Sequence, residues 1–85
     1  MINITVYPVI GGCYLKQIKG TLEEMQEIVG GYIEAVHIPG KVVVVDEEGL
    51  CKNKRPNPFL STICSRPIVG NGFIMNEKDW NKCLG

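Results

Sequence analysis

The sequence predicts an α+β fold: a small, antiparallel-dominated sheet of four or five strands with one helix packed on a face. The element order is β-β-α-β-β, short helix, β. Three observations carry this. Ile2, Ile4 and Val6 alternate with Asn3, Thr5 and Tyr7, the period-two signature of a half-buried strand. The run TLEEMQEIVGG reads as a capped amphipathic helix with a glycine stop. Beyond it, two apolar runs flank Pro39-Gly40, a turn dipeptide, and the second run is four consecutive valines. At 85 residues the chain is one domain, residues 1–85, near the small end of what folds alone.

Taken in order, the first strand ends at Pro8, which removes a ladder donor. Gly11-Gly12 is the flexible point of a turn into a second strand, Cys13 to Ile18, with Cys13 and Leu15 on one face. Thr21 is then a good N-cap, because its hydroxyl accepts from amides of the first turn, and Glu24 reaches back to complete a capping box. Leu22, Met25 and Val29, with Ile28 beside them, form the apolar stripe. Gly30 and Gly31 stop the helix, since glycine takes the left-handed conformation at little cost. Tyr32 to Ile38 and Lys41 to Val45 form the hairpin, the first of the two being mostly buried.

After Val45 the character changes. Asp46-Glu47-Glu48-Gly49 reads as a solvated acidic turn, and Cys51 to Asn57 as a polar loop carrying Lys52, Lys54 and Arg55. Asn57-Pro58 is a helix start, with asparagine as N-cap and proline at the first helical position. Phe59, Leu60 and Ile63 are the buried side of a short helix that Ser65-Arg66-Pro67 breaks. Ile68 to Met75 is the last strand, with Gly70 and Gly72 marking a bulge or a close backbone approach. Asn76 caps a terminal turn through Trp80.

Composition excludes several function classes. Nine basic residues balance nine acidic ones and no basic stripe emerges, so nucleic-acid binding is not expected. No apolar run approaches the roughly 20 residues of a membrane span. The opening MINITV is not a signal peptide. Four cysteines without an export signal point to a reducing cytoplasm. Cys13, Cys51, Cys64 and Cys83 lie at long, irregular gaps with no C-x-x-C pair, so free thiols are favoured over a metal site or disulfides.

Candidate site residues follow from residue chemistry. Lys54, Arg55 and Arg66 flank a proline-stiffened segment and are natural anchors for a phosphate, although each also reads simply as a solvated loop charge. Tyr32 and Phe59 offer aromatic faces for a base. Glu34 is either a solvent-facing strand residue or an acceptor lining a pocket beside Tyr32. Asn57 joins this ligand-binding set, though its helix-capping role is the simpler reading. Asp46, Glu47 and Glu48 could hold a hard cation, but acids before a glycine usually form a solvated turn. Ser61, Thr62 and the cysteines lack an activating base apart from remote His37, so an enzyme is not expected. Neither a metal nor a cofactor is implied.

Val29-Gly30-Gly31-Tyr32-Ile33-Glu34, the valine run Val42 to Val45, Glu48-Gly49, Asn57 and Ile68-Val69-Gly70 together resemble a family of bacteriophages, prophages and conjugative elements. That family is catalogued as domain of unknown function three-eight-four-six, and the resemblance covers nearly the whole chain. The Lys52 to Pro58 loop and the Trp80 tail depart from its pattern. The resemblance implies a mobile-element accessory protein in the cytoplasm of a bacterial host cell, not a particular activity. With the cationic loop, it suggests a counter-defence protein that binds and sequesters a small phosphorylated, nucleotide-type signalling molecule without chemistry. The alternative is a protein-binding inhibitor of a host defence or regulatory complex, working through a sheet edge or the acidic patch. A homo-oligomer is expected, because the second face of the valine-rich strands needs cover.

Overall fold

The computed structural model describes residues 1–49 and 51–84. Five strands form one antiparallel sheet: β1 (Ile2–Tyr7), β2 (Tyr14–Ile18), β3 (Ile33–Ile38), β4 (Lys41–Asp46) and β5 (Gly72–Asn76). The strand order is β2-β1-β5-β4-β3, so the last strand inserts between the first strand and the β3–β4 hairpin. Helix α1 (Leu22–Val29) packs on one face, as the sequence predicts. It is joined there by α3 (Glu77–Cys83), while α2 (Pro58–Cys64) lies on the other.

The local signals behave as their chemistry dictates. Thr21 Oγ1 accepts from the Glu24 amide at 3.2 Å, and Glu24 Oε1 accepts in return from the Thr21 amide at 3.1 Å. The same carboxylate also accepts from the amides of Lys19 and Gly20, holding the chain that enters the helix. Gly30 closes the helix at φ +81°, in the left-handed region that a Cβ disfavours. Gly31, by contrast, lies outside that region. The hairpin pairs Ile38 with Lys41 across Pro39-Gly40, as expected.

Period-two alternation divides β4 between two cores. Val42 and Val44 face α1 together with Ile4, Val6, Met25, Val29 and Phe73. Val43 and Val45 face the opposite way, against Leu60 of α2 and Ile68. All four valines are buried, each side chain worth about 1.5–3 kcal/mol on removal from water. The second sheet face is thus covered from within the chain, which removes the reason for expecting a homo-oligomer there.

Other expectations shift. The last strand begins at Gly72 instead of Ile68: Val69 makes only an isolated bridge to Pro56, and Ile68 turns into the α2 core. Gly72 is the close approach that its sequence position suggests. A Cβ there would sit 2.5 Å from Leu60 Cδ1 and 2.9 Å from the Val44 carbonyl oxygen. The terminal turn is longer than expected, α3 reaching Cys83, and Trp80 packs edge-on against His37 with centroids 6.4 Å apart. Strand β3 is half-buried, not mostly buried, because it is a sheet edge. The other edge, β2, leaves Leu15 81% exposed.

Candidate functional site

A polar cluster gathers at the C-terminal end of α1. That helix carries no basic residue in its last turn, so its terminal carbonyls lack a local cationic partner. The loop after β4 supplies one from a distance. Lys54 Nζ donates to the Val29 carbonyl at 2.8 Å and pairs with Asp46 Oδ2. Lys52 Nζ reaches the same Oδ2 at 3.1 Å and the Gly30 carbonyl at 3.4 Å. Asp46 Oδ1 accepts from the Glu48 amide at 2.8 Å.

This corrects the reading of the acidic turn. Glu47 and Glu48 are exposed, but Asp46 is buried and its carboxylate is the hub that folds the loop back on α1. Burial pushes its carboxyl upward, yet the Lys54 bond, the Glu48 amide and Lys52 outweigh this and hold it below the usual aspartate range. Among the described residues no group of three His, Cys, Asp or Glu side chains could hold a metal ion.

The cluster forms one wall of a cleft of 440 Å³, lined also by Ile28, Asn53, Arg55, Gly70 and Asn71. Lys54 is a brace here, not a ligand anchor: Asp46 and the carbonyls of Val29 and Gly30 take up its three donor directions. Lys52 is more exposed and keeps a donor free. Arg55 is held through its backbone, its carbonyl accepting from the Gly70 amide at 2.8 Å. Of the four cations between residues 52 and 66, Arg55 alone has no ion pair among the described residues. Tyr32 is 65% exposed and follows Gly31, where a Cβ would stand 2.9 Å from Asp46 Oδ2.

Arg66 and Glu34 meet elsewhere. Arg66 Nη2 lies 2.9 Å from Glu34 Oε1, at a second cleft of 220 Å³ between β3 and the Pro67–Val69 segment. Glu34 therefore lines a pocket, as one reading of the sequence had it, but with an arginine as its partner and not Tyr32. Asn57 is buried and fully engaged. Its Oδ1 accepts from the Leu60 amide, and Nδ2 donates to the carbonyls of Tyr7 at 2.9 Å and Gly70 at 3.0 Å. It is a structural cap with no donor left for a ligand. Phe59 stacks on Tyr7 at a centroid distance of 4.4 Å and stays half-exposed.

The six residues singled out from sequence thus separate. Arg55 and Lys54 share the larger cleft, Glu34 and Arg66 form the smaller one, Tyr32 lines neither, and Asn57 lies inside the fold. Sequence reasoning missed Asp46 as the organiser, and Lys52 and Asn71 as lining. The signal for Asp46 was present but faint: an acid ending a run of four valines continues the strand's pleat, placing it with Val42 and Val44.

Comparison with known proteins agrees with the resemblance read from the Val-Gly-Gly-Tyr-Ile-Glu core. No curated protein and no solved structure matches the chain. The sequence model described as "Domain of unknown function (DUF3846)" matches residues 3–83, and the chain belongs to that family.

Proposed function

We propose that this is a mobile-element accessory protein that counters host defence by binding and sequestering a small phosphorylated, nucleotide-type molecule without chemistry. The observation that carries the reading is Arg55. Its guanidinium is free of ion pairs among the described residues, and it lines the 440 Å³ cleft beside Lys52, which retains a free donor. A guanidinium in that setting suits bidentate recognition of a phosphate. Tyr32, exposed to solvent, offers an aromatic face on which a base can stack.

The test is calorimetric titration of the intact protein with GMP and AMP. Arg55→Ala should weaken binding about tenfold or more, as expected for loss of a charge-assisted hydrogen bond. Affinity should also fall with added salt, while Arg66→Ala should bind as the wild type does. Absence of binding to either nucleotide, or an Arg55→Ala variant that binds unchanged, overturns the proposal.

One observation favours the second reading, a protein-binding inhibitor. Edge strand β2 presents exposed Tyr14 and Leu15 beside an unpaired backbone, the arrangement that β-augmentation uses. Leu15→Glu should then abolish capture of a host protein and leave nucleotide titrations unchanged.

A further inference from the structure

A third cleft, of 430 Å³, runs between α1 and the β1–β2 hairpin and is lined by Tyr14, Lys16, Glu24, Glu27, Ile28 and Asn71. Three of these residues, Glu27, Ile28 and Asn71, also line the cleft that holds Lys52 and Arg55. The two clefts are therefore one groove along the flank of α1. Glu24 belongs to one end and Gly30 to the other, six residues apart, so the groove follows the helix for about 9 Å at about 1.5 Å per residue.

Its chemistry is two-ended. Lys16 stands at the β2 end, exposed and without an ion pair among the described residues, and Lys52 and Arg55 stand at the loop end. Between them Glu27 is an exposed carboxylate on α1, and Tyr14 presents half of its surface to solvent. The other acid in the groove, Glu24, is engaged: its carboxylate accepts from the amides of Lys19, Gly20 and Thr21. The groove thus offers cations at both ends, and a carboxylate acceptor and an aromatic face in the middle.

We infer that the groove takes a ligand with two phosphates flanking a nucleobase, a dinucleotide-type molecule, with Lys16 binding one phosphate and Arg55 with Lys52 the other. Glu27 accepts from paired N–H donors on the base edge, as guanine presents, and Tyr14 stacks on a ring. This rests on the nucleotide-binding reading and names its ligand class.

The test compares the linear dinucleotide pGpG with GMP, and with pUpU, by calorimetric titration of the intact protein. The expected result is that pGpG binds at least tenfold more tightly than GMP and more tightly than pUpU. Lys16→Ala should weaken pGpG roughly tenfold, the low end for a contact to a charged group. Glu27→Gln should narrow the preference for pGpG over pUpU. Both side chains are exposed, so thermal melting should confirm an intact fold. Equal affinity for pGpG and GMP, or a Lys16→Ala variant that binds pGpG unchanged, overturns the two-ended groove. Arg55-dependent GMP binding in that same experiment would leave the single-phosphate reading standing. Binding of none of the three overturns both.

Discussion

Lys54 Nζ donates to the carbonyl oxygen of Val29 at 2.8 Å, so a side chain 25 residues downstream completes the end of α1. The same ammonium pairs with the buried Asp46 carboxylate, which ties helix, strand and loop at one point. A loop held in this way presents the neighbouring Arg55 from a fixed backbone, and that links the fold's stability to any ligand the loop binds.

Removing the brace should therefore cost more than a surface charge normally does. Lys54→Met leaves Asp46 buried with only Lys52 and the Glu48 amide, and leaves the Val29 carbonyl unpaired. The expected loss is about 2–4 kcal/mol, set by the penalty for breaking a buried pair and moderated by partial exposure of the lysine. Urea denaturation measures it. A loss below about 0.5 kcal/mol, ordinary for surface substitutions, would show that the cluster is not a structural tie.

Acid should act on the same point. The Asp46 carboxyl titrates below its ordinary range in the folded protein, so on lowering the pH the unfolded chain takes up this proton first. Stability from this group is then fully present above the unfolded value, about pH 4, and is lost as pH falls through the lower folded value. Glu24 shifts in the same direction, chiefly through the Thr21 and Lys19 amides that it accepts from. Denaturation midpoints should be flat from neutral pH to about pH 5 and fall below about pH 4. Asp46→Asn should be less stable at neutral pH and fall less steeply in acid.

The two glycines after α1 should respond differently to substitution. Gly30 lies at φ +81°, so Gly30→Val forces a β-branched residue into the left-handed region at a cost of about 1–3 kcal/mol. Gly31→Val meets no such backbone strain. Its Cβ would instead press on Lys52 Nζ and on both Asp46 carboxylate oxygens, at 2.9 and 3.0 Å, so the pressure falls on the ion cluster. Combining Gly31→Val with Lys52→Ala should recover part of its loss in melting temperature, whereas Gly30→Val should gain nothing from that second change. Equal behaviour of the two glycines would contradict this assignment.

What was legible from sequence and what was not divides along chain distance. Thr21 and Glu24 are three residues apart, and Pro39-Gly40 is a single dipeptide, so their geometry follows from local chemistry. Thr21, Gly30 and the β3–β4 hairpin all form as read. Asp46 is different: whether an acid at a strand end is solvated depends on whether the loop folds back to bring Lys52 and Lys54 to it. The pairing of Glu34 with Arg66 likewise depends on how α2 crosses the sheet. The oligomer expectation loses its premise for the same reason, since the sequence did not show that Leu60 and Ile68 would return to cover Val43 and Val45. Among the site residues, Asn57 already reads more simply as a helix cap, while Lys54 reads by residue type much as Arg55 does. Arg55 was distinguishable from Lys54 only once their partners were known.

The Arg66–Glu34 pair should matter little to stability. Both side chains are about two-fifths exposed, and exposed ion pairs contribute about 0–1 kcal/mol. Arg66→Ala should shift the urea midpoint by no more than that, and high salt should erase the difference.

The thiols offer a check that is independent of any ligand. All four cysteines are free; Cys13 and Cys51 are exposed, while Cys64 and Cys83 are half-buried. Burial pushes the Cys64 thiol above its ordinary value, with Arg66 opposing this in part, so little of it is thiolate at neutral pH. Alkylation needs the thiolate and access to it. Brief iodoacetamide treatment at pH 8, followed by peptide mass spectrometry, should label Cys13 and Cys51 first and Cys64 later. Mild denaturant should erase the delay at Cys64, because it removes the burial that causes it. If Cys64 is labelled as fast as Cys13 in the native protein, the α2 side of the sheet opens readily, and the cover over Val43 and Val45 is looser than the packing of Leu60 and Ile68 implies.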